Sequence, residues 1–342
     1  MNISADSFVV SARLYPFTAT RQAADIRIGI LTIREKWDKI AEQRLGLVPG
    51  FLAGNIIPSW DWVEWCNKAG QGKDLFADEN LVKVIAYPWD IFKHNDWALR
   101  KDFELITKGR NSQDISTSNK TINSAEIFIE PGANVEHCIL NATDGPIYIG
   151  KNAVVMEGSL LRGPIAICEG AVVKMGTKIY GATTIGPFCT VGGEIKNSVL
   201  FAYSNKAHDG YLGDSVLGEW CNLGAGTSNS NLKNTAGEIK YFLDADSEAI
   251  AAGNKGGLLM GDYSKAAINT SFNTGTVVGV CCNVFAAGLT PNFIPDFTWG
   301  CDGTIKYKLD KAFVDIDNWK KLKGLTISDR EKQILTDIYK LS

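Results

Sequence analysis

The sequence predicts a mainly β chain built around a left-handed parallel β-helix of hexapeptide repeats. Three observations predict it. Eight apolar residues stand six apart in one register: Ile149, Val155, Leu161, Ile167, Val173, Ile179, Ile185 and Val191. With 45% apolar residues in the chain, chance fills eight such slots with a probability of about 0.002. The period fits neither a helix, at about 3.6, nor a two-faced strand, at about 2. It fits a chain that turns a corner every six residues and stacks on itself. The fifth residue of most repeats is small (Ala153, Ser159, Ala171, Thr177, Thr183, Cys189), as a tight corner requires. A β-sandwich of six-residue strands does not hold one register through eight repeats.

Residues 1–110 predict a small α/β domain. Thr20 is placed to cap a helix whose apolar face is Ile26, Ile30, Ile33, Trp37 and Ile40. Trp60, Trp62, Trp65, Trp89 and Trp97 follow, a density that reads as a small core or domain contact. The polar stretch 108–125 reads as a boundary, with the linker at 111–125. The β-helix is expected over 126–300, its pattern starting near Ile129 and Val135. It resumes in later registers at Leu217 and Leu223, then at Met260, Ala266, Phe272, Val278 and Val284. The gaps at about 197–211 and 229–258 read as projecting loops. The tail, 301–342, carries a capping-box signature, Ser328-Asp-Arg-Glu331, before Ile334, Leu335, Ile338 and Tyr339. It predicts one short amphipathic helix. A solenoid exposes strand edges at its ends, so both flanks are candidate caps.

Composition excludes several classes of function. The net charge of −3 over 342 residues leaves no basic excess for nucleic acid. No run of 18 apolar residues suits a membrane span. The first residues have no basic region ahead of their short apolar stretch, so no signal peptide is read there. Eight scattered cysteines form no CxxC pair or zinc spacing. No metal ligand set emerges, and the expectation is a reduced, cytoplasmic protein.

Of three histidines, His94 and His137 have no constellation around them. His208 has one: NKAHDGYLGD, followed by EWCNLGAG and SNSNLKN. This segment resembles the acetyltransferase domain of the bifunctional glucosamine-1-phosphate acetyltransferase / N-acetylglucosamine-1-phosphate uridylyltransferases, and most of all their shorter Bacteroidetes-type variants. Lys206, Ala207, His208, Tyr211, Leu212, Gly213 and Asp214 match that family's histidine motif. Asn222, Gly224, Ala225, Gly226, Thr227 and Asn231 follow without a gap, and GGEIK upstream places Glu194 and Lys196.

The resemblance implies an acetyl-CoA-dependent N-acetyltransferase acting on an amino-sugar phosphate, with His208 as base. An amine attacking a thioester must lose a proton, and imidazole is the side chain suited to take it near pH 7. Glu194 would orient the imidazole. The oxyanion would be met by backbone N–H groups of the 224–226 turn or by the Asn231 loop. Lys196, with Lys174 as a second cation, would hold the sugar phosphate. Tyr211 and Asn222 would hold sugar hydroxyls. Ala225, Asn231 and Leu232 would touch acyl-CoA, with Gly261, Asp262 and Gly279 further along that wall. Leu232 stands where the family has Tyr, and Asp262 where it has a CoA-binding Ser. The resemblance also implies a homotrimer, and the composition leaves no nucleic-acid or membrane partner expected.

Near the N-terminus, ARLYPFTATRQAADI resembles the sugar nucleotidyltransferase signature through Arg13, Leu14, Pro16 and Thr18, with Arg21 close to its phosphate lysine. Val10-Ser11-Ala12 replaces the Gly-x-Gly that cradles phosphate. Asp61, in PSWDW, is a weak candidate ligand for Mg²⁺, needed only if this domain is active. Three readings stand beside the acetyltransferase. The N-terminal domain would be a reduced cap and assembly surface, or would transfer a nucleotide from UTP or dTTP to a sugar-1-phosphate. The whole chain would alternatively be a non-catalytic scaffold binding sugar nucleotides. A γ-type carbonic anhydrase shares the architecture but needs three metal-binding histidines on facing coils.

Overall fold

Three faces of parallel strands, each strand two or three residues long, wrap the middle of the chain. The computed structural model describes residues 12–43, 54–68 and 78–342; Val10 and Ser11 of the N-terminal signature lie outside them. The first face climbs from Lys120–Ile122 through Lys178–Tyr180 and Glu194–Lys196 to Tyr211–Gly213. The second runs from Ile127–Ile129 to Phe293–Ile294 and the third from Asn134–Val135 to Trp299–Gly300, nine strands each. This is the left-handed parallel β-helix the sequence predicts. Val154 pairs with Val172, and Val172 with Thr190, so three six-residue sides close one coil. All eight residues of the register are buried along the axis, joined by Ile129, Val135, Leu217, Leu223, Met260, Ala266, Phe272, Val278 and Val284. Each fully buried Ile, Val or Leu contributes about 1.5–3 kcal/mol. That repeated term sets the register.

Coil length then changes. Val191 pairs with Lys206, fifteen residues on, and Glu194 with Tyr211, seventeen on. The gap at 197–211 is therefore not a projecting loop: Val199–Leu200 and Asn205–Lys206 stay in the stack. Shortened corners, and a lysine in an inward slot, hide the repeat. Residues 230–257 do leave the stack, forming an antiparallel pair, Lys240–Tyr241 with Ile250–Ala251. Pairing also begins inside the polar stretch read as a linker, since Lys120–Ile122 already lies beside Ile139–Asn141.

The corner between the second and third faces is left-handed on successive coils. Phe188, Tyr203, Trp220, Tyr263, Cys281 and Phe297 all have φ between 54° and 62°. Such a conformation costs a non-glycine residue roughly 1–2 kcal/mol. Stacking offsets part of it: Phe188 and Tyr203 lie 5.2 Å apart, Tyr203 and Trp220 4.4 Å, nearly parallel. Two C-terminal helices, not one, cover the upper part of this ridge. These are Leu309–Lys321 and Asp329–Leu341. The second starts at the expected capping box, Glu331 N–H donating to Ser328 Oγ (3.2 Å) and Ser328 N–H to Glu331 Oε2 (2.7 Å). Leu335 is buried against Trp220, Tyr263 and Phe297.

The N-terminal segment covers the second face. Leu14, Phe17, Trp62 and Trp89 form one core with Val199, Val216, Leu259 and Val277, the outward residues of that face. The expected helix from Thr20 is not there. Arg27–Ile28 and Leu31–Thr32 pair as a hairpin, and the helix runs from Ile33 to Gln43. Gly29, at φ 69°, makes the turn, and a Cβ there would lie 2.4 Å from Asp102. Asp102 accepts from Ile30 N–H (2.7 Å) and pairs with buried Lys36. Asn95 accepts from Gly29 N–H (2.7 Å) and donates to the Ala182 carbonyl of the stack (2.8 Å). The helix has its own capping box, Thr32 with Glu35.

Candidate active site

The chain passes from the third face to the first at a ridge opposite the second face. His208 stands on that ridge and is exposed. Beneath it Lys206 turns inward, 2% exposed, and donates from Nζ to the His208 carbonyl. Burial pulls Lys206 down to about 8. The coils above and below carry almost no side chains on this ridge. Gly192 and Gly193 lie below, and a Cβ on Gly193 would come within 2.9 Å of the Gly210 carbonyl. Gly224, Ala225 and Gly226 lie above, tied down by Gly226 N–H donating to the Asp209 carbonyl (3.0 Å). Gly210, at φ 122°, would clash with the Thr227 carbonyl if it carried a Cβ. Close backbone stacking thus leaves the imidazole on a bare ridge.

Beside it, the first face presents Lys178, Tyr180, Glu194, Lys196 and Tyr211 outward, with Ile179, Ile195 and Leu212 inward. The Glu194 carboxylate accepts from the Tyr180 hydroxyl at 2.6 Å, not from His208. Lys196 Nζ sits 5.6 Å from the Tyr180 ring centroid. Hydrogen bonding to Glu194 pushes the Tyr180 phenol up to about 12. Asn231 reaches back from the inserted segment, its amide donating to the Tyr211 hydroxyl (3.1 Å) and to Asp214. Asn197 also donates to Asp214 (2.6 Å). Burial, then Asp214, pushes Tyr211 up to about 12. Asn231 has both amide hydrogens committed, so it positions Tyr211 and is unsuited to meet an oxyanion. Gly224 N–H is committed to Ala266 and Gly226 N–H to Asp209. Among the described residues only the Ala225 amide of that turn donates to no other group.

The remaining predicted residues separate. Asn222 faces outward on the third face, between Asn205 and Lys265. Lys174 is exposed on the His208 ridge two coils below it. Leu232 is exposed near Asn231. Gly261, Asp262 and Gly279 do not continue the wall of Ala225; they lie on the second/third ridge. The corner above Ala225 holds exposed Ile268, through Asn269 N–H donating to the Ala225 carbonyl (2.7 Å). A Cβ on Gly261 would lie 3.0 Å from Pro16, and one on Gly279 2.6 Å from the Tyr15 hydroxyl. Asp262 is buried, paired with Arg21 and bonded by the Thr20 hydroxyl and by Glu219 N–H (2.7 Å). Thr20 therefore caps nothing: it ties the N-terminal segment to the stack. Arg13 is exposed. Asp61 pairs with Lys101 at 2.6 Å.

The described residues of the N-terminal signature from Leu14 to Arg21 pack largely against the stack. Leu14 and Phe17 are core, Tyr15 donates to Asp296 (2.8 Å), and Arg21 lies over the Phe201 ring. A cavity of about 470 Å³ lies here, walled by Arg21, Arg34, Glu219, Asp262, Tyr263 and Arg330 among others. Arg21 pairs with Asp262 and Arg34 with Asp25 within the wall, and Glu331 pairs with Lys320 behind it.

Sequence reasoning missed Lys178 and Tyr180. A strict eighteen-residue coil would set Lys178 beside Lys196 and Tyr180 beside Ser198. The observed coil is sixteen, pairing Lys178 with Glu194 and Tyr180 with Lys196. The outward polar residues on either side of inward Ile179 were the available signal.

A family model described as sugar nucleotidyl transferase matches residues 5–49 and 54–111. The Bifunctional protein GlmU of Methanocaldococcus jannaschii is 29% identical over 235 residues, covering 66% of this chain and 51% of that protein. A bifunctional sugar-1-phosphate nucleotidylyltransferase/acetyltransferase of Sulfurisphaera tokodaii is 28% identical, covering 62% and 49%. The Bifunctional protein GlmU of Rippkaea orientalis is 40% identical over 86 residues, 25% of this chain and 18% of its own. The chain spans about half the length of the first two relatives. A solved UDP-N-acetylglucosamine acyltransferase of Francisella novicida aligns with 65% of this chain at 17% identity, but its TM-score of 0.20 is too low to compare sites. The resemblance read from the histidine motif and the N-terminal signature therefore stands: this chain is similar to the bifunctional sugar-1-phosphate nucleotidyltransferase/acetyltransferases.

Proposed function

We propose that the chain transfers an acetyl group from acetyl-CoA to the amine of an amino-sugar phosphate of the glucosamine-1-phosphate class. The observation that carries this reading is an exposed His208 on a bare ridge, edged by a face bearing Glu194, Lys196 and Tyr211. The acceptor would lie on the first face, its phosphate at Lys196 and Lys178 and its hydroxyls at Tyr211. Its amine would reach the ridge, where the His208 imidazole takes the proton as nitrogen attacks the thioester carbon. The Ala225 amide would donate to the oxyanion as the tetrahedral intermediate forms. Collapse expels CoA as thiolate, which recovers a proton from the imidazolium. The donor arm would run up the ridge past Ala225 and Ile268. Asp262, bound to Arg21, takes no part in donor binding on this reading, and Glu194 acts on the acceptor rather than on the imidazole.

Three copies would assemble around the uncovered faces; the first face exposes Ile122, Ile139 and Leu160 below the site. Light scattering tests the trimer. The N-terminal segment serves as a cover for the second face, with Leu14, Phe17 and Arg21 of its signature engaged in packing. The test of the activity is CoA release from acetyl-CoA with a panel of amino-sugar phosphates. Release dependent on glucosamine-1-phosphate or a close relative is expected. Silence across the panel overturns the reading.

A further inference from the structure

Glu194 and Lys196 flank inward Ile195, so both side chains leave the same side of one strand. Their Cα atoms stand about 6.6 Å apart at the usual rise per residue. Opposite charges so placed are free to close on each other. They do not: among the described residues Glu194 is bonded to the Tyr180 hydroxyl at 2.6 Å and Lys196 lies 5.6 Å from the Tyr180 ring centroid. Tyr180 stands in register with Lys196 on the neighbouring strand, one coil below. One side chain thus occupies both charges, the carboxylate at its polar tip and the ammonium at its face.

We propose that Tyr180 is a positioning residue that keeps Glu194 and Lys196 apart, so that the acceptor's amine end and phosphate end meet two separate, pre-set charges. The proposal rests on the acetyl-transfer reading for its substrate, but the separation itself does not depend on it. An ion pair between the two would neutralise both, and its opening would have to precede each binding event. Holding them apart in advance avoids that reorganisation. The ring also seats the Lys196 ammonium at its negative face.

Two variants divide the roles. Tyr180→Phe keeps the ring and loses the hydroxyl; Tyr180→Leu loses both. Crystal structures of both, without ligand, read the separation directly. Glu194 and Lys196 are expected within 4 Å in Tyr180→Leu, by the ordinary ion-pair distance; the two still apart there overturns the proposal whatever the enzyme does. Kinetics with glucosamine-1-phosphate and acetyl-CoA read the consequence. Tyr180→Leu should raise the acceptor KM about 10-fold with the donor KM unchanged, and Tyr180→Phe should lower kcat about 5-fold with the acceptor KM within about twofold. Equal acceptor KM in Tyr180→Leu and wild type also overturns it. Absence of turnover in the wild type counts against the acetyl-transfer reading alone, since the structures still decide the role of Tyr180.

Discussion

The two ridges that bound the third face are built from the same repeat and finished in opposite ways. The second/third ridge is filled. Phe188, Tyr203 and Trp220 stack along it, Tyr263 and Phe297 continue the column, and the C-terminal helices and the Arg21 segment cover it. The third/first ridge is bare on the coils next to His208. Glycines crowd the backbone above and below His208, and among the described residues no other segment packs over the imidazole. A solenoid corner thus has two uses. Bulky side chains recruit the rest of the chain, and their absence leaves room for something else. The same contrast explains why Asp262 and His208 differ in role although both sit on corners.

The sharpest way to break the comparison is Asp262→Ala. It leaves the buried Arg21 guanidinium with only the longer Glu219 contact (3.7 Å) and removes the acceptor of Thr20 and of the Glu219 amide, which should cost about 3 kcal/mol. Denaturant unfolding checks it. A raised donor KM with unchanged stability would return Asp262 to ligand binding and undo the contrast. Trp220→Ala should cost about 3 kcal/mol through the cavity it leaves in the aromatic column, with acceptor KM unmoved. A smaller effect separates the ridges by pH. Burial depresses Lys206 to about 8 from 10.5, so the folded state holds fewer protons than the unfolded between those values. Wild-type stability should therefore rise with pH from about 8 toward 10.5 relative to Lys206→Met, in paired denaturation curves; parallel curves would contradict a buried ammonium beneath His208. The smallest effect is Ser328→Ala, about 1 kcal/mol from the lost cap, read as a lower Tm with no change in turnover.

The stack was legible because burial recurs at a fixed interval. Ile149 through Val191 each gain the same apolar term, so one register runs through eight repeats. It became illegible at 197–211, where coils shorten and Lys206 takes an inward slot. The N-terminal helix was misplaced because Ile26 and Ile30 fit a helical period, whereas Asn95 and Asp102, some seventy residues on, hold Gly29 and Ile30 in a hairpin. The true start is marked by a capping box at Thr32 and Glu35. At the site, the motif around His208 was readable as residues in line. Tyr180 was not, because its neighbours are fixed by coil length, which local sequence does not specify. The donor residues assigned at Gly261, Asp262 and Gly279 fell on the other ridge for the same reason: counting along a chain with a long insertion does not say which corner a glycine turns.

The central claim is that the bare ridge is where the chemistry occurs, and His208→Ala tests it most directly. CoA release with glucosamine-1-phosphate should fall about 10²–10⁴-fold while the unfolding midpoint stays at the wild-type value, the imidazole being exposed. Turnover equal to wild type in that variant would place the base elsewhere and leave the ridge without a function.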